Sequence, residues 1–198
     1  MGKFTNSYVV IGSTGEALVA FYQAQGARAF IFQDDRNRCA VCDDNDDEAD
    51  LDLIAELTNE IQAIVLVGQV FDSSIFVGTI YNRGTAIDEY IDYPEYSLEL
   101  DSGESVLHLN RELSVEQRAT EWANLIGVAQ RSDILADVFR RREEYVFAED
   151  FYTAVLEALE LPSVMVGATY WELTRAYETD SEARKALLHV DNESSESD

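Results

Sequence analysis

The sequence predicts an α+β fold, an N-terminal mixed or antiparallel sheet with two helices followed by a C-terminal helical half. Three observations lead there. Up to Ile91 the apolar residues fall in short, β-branched or alternating runs. From Ser114 onward they recur at the i, i+3, i+4 spacing of amphipathic helices. Turn residues punctuate the first half, and capping residues punctuate the second. A length of 198 residues suits one domain over 1–190, sheet-rich to residue 110 and helical over 111–190. The stretch 191–198 has no apolar residue and is expected to be a disordered acidic tail.

Phe4–Ile11 reads as a strand, and Gly12-Ser13-Thr14-Gly15 as a turn whose hydroxyls cap a helix from Glu16 to Gln25, with Gly26 as its stop. Leu18, Phe21 and Tyr22 form the inward face of that helix. Arg28–Gln33 and Arg38–Cys42 are strands around the turn Asp34-Asp35-Arg36-Asn37. Glu48–Ile61 is the second helix, with Leu51, Ile54, Leu57, Thr58 and Ile61 inward. Ala63–Phe71, Ile75–Tyr81 and Thr85–Ile91 form a meander joined by Asp72-Ser73-Ser74 and Asn82-Arg83-Gly84. Ser114-Val115-Glu116-Gln117 is a capping box opening a helix that stops at Gly127. Further helices follow from Ser132, over Glu149–Leu161, and from Ser163 through Tyr177.

Composition bounds the function. There are 39 acids against 14 bases, for a formal charge of −25, yet 46% of residues are hydrophobic and 11% aromatic, enough for a core. Such a charge repels phosphates, so direct binding of nucleic acid or an anionic membrane is not expected. No run approaches the ~20 apolar residues of a membrane span, and Tyr8–Ile11 is too short for a secretory signal. With two cysteines and no such signal, a cytoplasmic location with reduced thiols is the expectation.

Gly12–Gly15 between strand and helix could offer N–H groups to a phosphate, but position 18 is Leu and no Lys-Ser/Thr pair follows. Cys39 and Cys42 have a metal or redox spacing. No second cysteine pair exists, His108 and His189 are isolated, and strand positions three apart face opposite ways. The run Asp43–Asp52 fails as a calcium loop, since no register places Gly and Glu where that loop needs them; its acids instead favour the start of the following helix. No nucleophile or triad pattern appears, so no catalytic residue, metal or cofactor is expected. Arg140-Arg141-Arg142 is the one basic cluster, and it suits a helix C-terminus and the neighbouring Glu143 and Glu144.

The acids are uneven. Between Cys39 and Asn110 seventeen of them face the single base Arg83. Within that stretch Tyr81, Tyr90, Tyr93 and Tyr96 interleave with Asp88, Glu89, Asp92 and Glu95, a pattern suited to receiving arginine and lysine. These eight residues are the expected partner-binding set. A sheet-edge role for the tyrosines, and acidity selected by a high-salt cytoplasm or by genome composition, are the competing explanations.

Ser74–Tyr96 resembles a hairpin in a group of uncharacterised bacterial proteins, in which an aliphatic-aromatic strand precedes an acidic Asp-Glu-Tyr element and a Pro-x-Tyr or Pro-x-Phe turn. Phe151–Tyr170, with Leu161-Pro162 before a small-residue segment, is similar to the C-terminal end of the same group. The resemblance implies a bacterial α+β domain and carries no assigned activity. The expected function is therefore a non-enzymatic acidic domain that binds a basic protein, such as a toxin or a nucleic-acid-binding protein, as an immunity- or inhibitor-like protein or a nucleic-acid mimic would. A small enzyme or ligand-binding domain using the Gly12–Gly15 turn, and a housekeeping domain whose acidity is salt adaptation, are the alternatives.

Overall fold

Thr5–Ile11 (β1) is buried along almost its whole length, because both faces of its sheet are covered. The computed structural model describes residues 5–45, 49–92 and 112–191. After β1 come α1 (Gly15–Gln25), β2 (Ala29–Gln33), β3 (Arg38–Asp43), α2 (Leu51–Glu60), β4 (Ile64–Phe71), β5 (Ile75–Asn82) and β6 (Thr85–Ile91). The second half supplies α3 (Val115–Ile126), α4 (Ser132–Arg140), α5 (Ala148–Ala158), α6 (Tyr170–Thr179), α7 (Ser181–Ala186) and β7 (Leu187–Val190). The architecture is α+β, with one seven-stranded sheet in the order β6-β5-β4-β1-β3-β2-β7. Its pairings are antiparallel throughout.

The inner four strands, β4-β1-β3-β2, with α1 linking β1 to β2 and α2 linking β3 to β4, form a split βαβ arrangement. Strand alternation sends Tyr8, Val10, Val41 and Val67 to one face, where they pack with Leu18, Phe21 and Tyr22 of α1 and Ile54 and Leu57 of α2. Val9, Leu66 and Ile80 point to the other face, onto Trp122 of α3, Phe139 of α4 and Phe151, Tyr152 and Val155 of α5. α6 covers the remaining end of that face through Tyr170, against Phe30, Ala40 and Cys42. Gly68 and Gly78 are register partners beneath α5 and α3, and a Cβ on Gly68 would lie 2.1 Å from the Tyr152 ring. The missing side chain lets that ring cross the strand, so that its hydroxyl donates to the Ser7 carbonyl at 3.2 Å.

The end of the chain differs from expectation in three elements, the first being the short helix α7, which was not expected. The last helix does not begin at Ser163: residues 163–169 remain turns, and α6 starts at Tyr170 with a capping box of Thr169 and Glu172. Gly167 at φ +72° interrupts helical continuation there. The helical half also ends in a strand, since Leu187–Val190 returns to pair with β2 and buries Val190 fully. Four residues are too few for periodicity to show a strand.

Candidate functional site

The tyrosines and acids expected to form one surface are divided by the sheet. Tyr81 is buried on the face covered by α1 and α2. Tyr90 lies on the opposite face, stacked on Phe139 at 4.7 Å with Arg118 over its ring at 5.6 Å. Asp88 and Asp92 are not displayed to solvent, which corrects the expectation of an exposed acidic strand. The Asp88 carboxylate is 0% exposed and accepts from Arg118 Nε at 2.8 Å and Trp122 Nε1 at 2.7 Å. The Asp92 side chain is also 0% exposed and accepts from Arg142 Nε at 2.6 Å and from the Phe76 amide at 3.0 Å. Both aspartates leave β6 toward the helices, so arginines from the second half of the chain neutralise them. Glu89 is buried beside Thr79, its register partner. Tyr93, Glu95 and Tyr96 lie outside the described residues.

The other motifs resolve as packing or caps. At the Gly12–Gly15 turn the Thr14 hydroxyl accepts from the Ala17 amide at 3.3 Å, and the Gly15 amide donates to Gln33 Oε1 at 2.6 Å. Leu188 closes over the same glycine, so the chain's own side chains fill the place where a phosphate would sit. Cys39 and Cys42 are free, buried and on opposite faces, as their strand spacing predicts. Burial, with Asp34 adding to it, pushes the Cys39 thiol up to about 12. Arg140, Arg141 and Arg142 pair with Glu116, Glu144 and Asp92 respectively. Among the described residues, no helix is long and apolar enough to cross a membrane, and no group of three His, Cys, Asp or Glu is arranged to hold a metal ion.

The open acidic feature lies elsewhere. Ala29 pairs with Asp43, so β2 starts where β3 ends, and the C-terminus of α1 meets the N-terminus of α2 at that edge of the sheet. Between them is a cleft of about 410 Å³ whose lining includes Asp44, Asn45, Asp50, Asp52 and Glu56. Asp50 caps α2, accepting from the Leu53 amide at 2.9 Å, and acids in the first turn suit the helix dipole. Asp52 and Glu56 are four residues apart on α2, a like-charge spacing that costs a helix a few tenths of a kcal/mol. Asp50, Asp52 and Glu56 are exposed and, among the described residues, in no ion pair. Arg28 at the rim holds Asp44 at 2.8 Å.

The α1/α2 face of the sheet also carries buried polar residues. Asp43, Asn6, Gln69, Thr79 and Glu89 are all buried on the α1/α2 face, where neighbouring positions are apolar. The Tyr8 hydroxyl donates to Asp43 at 2.9 Å, and the Asn6 amide nitrogen donates to the Asn45 carbonyl. Among the described residues, Asn6 Oδ1, Gln69 Oε1 and the Tyr22 hydroxyl are buried without a hydrogen-bond partner. Two tyrosines register the negative field. Burial first, and then Asp43, Cys42, Asp50 and Asp44, hold the Tyr22 hydroxyl well above its ordinary value. Burial, then Glu89 and Asp52, push Tyr81 up to about 12.

Sequence reasoning read Asp44, Asp50 and Asp52 only as an acidic run at the start of a helix, and it singled out neither Glu56 nor the buried amides Asn6 and Gln69. A signal was present at Gln69, an amide set in an otherwise apolar strand run, whereas Asn6 stands between Thr5 and Ser7. Their pairing across β1 and β4 requires the register, which only the fold supplies. No protein-family model matches the chain, and neither a curated protein nor a solved structure matches it.

Proposed function

We propose that this chain is a non-enzymatic binding domain that takes a basic protein partner into the acidic cleft between α1 and α2, as an immunity- or inhibitor-like protein or a nucleic-acid mimic would. The observation that supports this reading is that Asp50, Asp52 and Glu56 share one cleft, exposed and, among the described residues, in no ion pair, while Asp88 and Asp92 are each held by an arginine. Like charges gathered in a concavity raise the local potential and steer a cationic partner. A cytoplasmic setting, where both thiols stay reduced, belongs to the same proposal.

The test is stopped-flow association of an arginine- and lysine-rich peptide with the full chain. The variant Asp50→Asn/Asp52→Asn/Glu56→Gln is compared with Asp133→Asn/Glu157→Gln/Glu178→Gln, which removes the same charge elsewhere. The cleft variant is expected to associate about tenfold more slowly than the other, with the gap closing as salt shortens the screening length. Equal rates for the two variants would overturn the reading.

A further inference from the structure

Among the described strands β7 is the shortest, and it forms one edge of the sheet by pairing Leu187–Val190 with Ala29–Phe32 of β2. Its side chains alternate between two coverings. Val190 is fully buried on the α1/α2 face, and Leu188 lies over Gly15 at the start of α1. His189 takes the opposite face, where aromatic rings form a seat for it. It stacks on its register partner Phe30, with ring centres 4.4 Å apart and planes 10° apart, and the centre of the Tyr177 ring is 5.2 Å away. The Tyr170 hydroxyl lies 3.0 Å from His189 Nε2. Among the described residues His189 is the one histidine, the side-chain type that ordinarily changes charge near neutral pH.

We propose that β7 is a pH-released clasp, in which protonation of His189 empties the seat of Phe30, Tyr170 and Tyr177 and lets Leu187–Val190 leave β2 while the other six strands stay paired. A neutral imidazole can accept the Tyr170 hydroxyl at Nε2, whereas an imidazolium carries a proton on both nitrogens and accepts nothing. The charged ring would also share the Tyr170 ring with the Arg28 guanidinium, which lies 5.4 Å from its centre. Arg28, just before β2, and Asp191, just after β7, are the charged groups that act on the imidazole, and Arg28 is itself paired with Asp44. From α6 come the two phenols, Tyr170 and Tyr177; α7 leads into β7 with Arg184 and Lys185 exposed in its last turn. Burial, with Arg28 adding to it, outweighs Asp191 and holds the imidazole below its ordinary 6.5. The detached strand therefore takes the proton first. Docking of β7 is at full strength above 6.5, weakens as pH falls from there to the lowered value, and levels off below it. A short terminal strand at a sheet edge is where such a loss opens the chain locally, since edges and ends open more readily than a core. Release uncovers the outer edge of β2 and the Gly15 turn beneath Leu188. The clasp needs no partner and stands apart from the acidic cleft.

NMR hydrogen exchange on the full chain tests this from about pH 7.5 to about pH 5. Protection factors, which cancel the intrinsic pH dependence of exchange, are followed for the amides of β2 and β7 against those of β1 and β4. Protection between β2 and β7 is expected to fall by about threefold as pH drops, while that between β1 and β4 stays level. His189→Phe keeps a ring on Phe30 and carries no proton, so β7 should stay docked and its protection should lose the pH dependence. The His189 ring of the wild-type chain, titrated by proton NMR, should change charge below 6.5; this reading holds even where the variant fails to fold. Protection of β7 that does not vary with pH would overturn the clasp, as would a pH dependence that survives in His189→Phe. A loss shared equally by β1 and β4 would show global unfolding instead of release, and a His189 titration at or above 6.5 would remove the driving force.

Discussion

Two groups of acids in the most acidic part of the chain have opposite fates. Asp88 on β6 and Asp92 just past its end turn away from water and are each gripped by an arginine, Arg118 from α3 and Arg142 from the turn after α4. At the junction of α1 and α2, Asp50, Asp52 and Glu56 face a cleft with no base among them. The first arrangement joins the two halves of the chain, since Arg142 also donates to the Ser74 and Tyr145 carbonyls and lies over the Phe151 ring at 5.0 Å. Among the described residues, the second makes no ion pair. Formal charge treats the two groups alike, whereas burial and partner supply separate an internal clamp from a surface open to another molecule.

The sharpest way to break this contrast is to remove the bases. Arg142→Ala would strand the Asp92 carboxylate in a buried site, and a buried charge deprived of its partner typically costs about 3–5 kcal/mol. Arg118→Ala should act likewise on Asp88. At the cleft rim, Arg28→Ala breaks a pair whose side chains are 45% and 26% exposed, and there the cost should stay below about 1 kcal/mol. Urea denaturation of the three variants orders them. A loss for Arg28→Ala as large as that for Arg142→Ala would erase the distinction between clamp and cleft.

Much of the fold was legible because it depends on local signals. The meander over β4–β6, the Ser114 capping box and the opposite faces of Cys39 and Cys42 all follow from spacing within a few residues. The partner-binding set was legible only as composition. Whether Asp88 meets water or Arg118 depends on a residue thirty positions away, and the bulge between Ile80 and Tyr81 helps decide which face each β6 side chain takes. The cleft was half legible: Asp44, Asp50 and Asp52 stand in one run, while Glu56 and the residues Gln25–Ala27 of the opposite wall come from elsewhere in the chain.

Acid titration separates internal acids further, with a smaller effect. Burial holds the Asp92 carboxyl above its ordinary 3.8, only partly offset by Arg142 and the Phe76 amide. The folded chain therefore takes that proton before the unfolded chain, and the contribution of Asp92 to stability rises as pH falls from above its raised value toward 3.8. Asp34 shows the reverse. Burial raises it, but the Arg36 and Arg38 amides and the Arg38 guanidinium outweigh burial and hold it below 3.8. Its contribution is present above 3.8 and lost as pH falls through the depressed value. Measured against Asp92→Asn, the wild-type chain should gain relative stability between neutral pH and pH 3.8. Measured against Asp34→Asn, it should hold level there and lose only below. Parallel profiles for the two variants would mean that Asp92 is not the desolvated acid its burial indicates.

The smallest effect concerns the cleft, and its sign is informative. Asp52→Asn/Glu56→Gln relieves a like-charge i, i+4 repulsion on α2 and removes no ion pair, so stability should stay level or rise by about 0.5 kcal/mol or less. Asp50→Asn keeps a side-chain oxygen for the Leu53 amide, and asparagine caps a helix as well as aspartate does, so the triple variant should remain folded. Thermal unfolding at low and high salt measures this directly. In wild type, salt should recover the same increment by screening the repulsion, and in the triple variant that salt response should shrink. A marked loss of stability in the triple variant would show that these acids serve the fold. Unchanged or improved stability together with slower association would leave binding as their role.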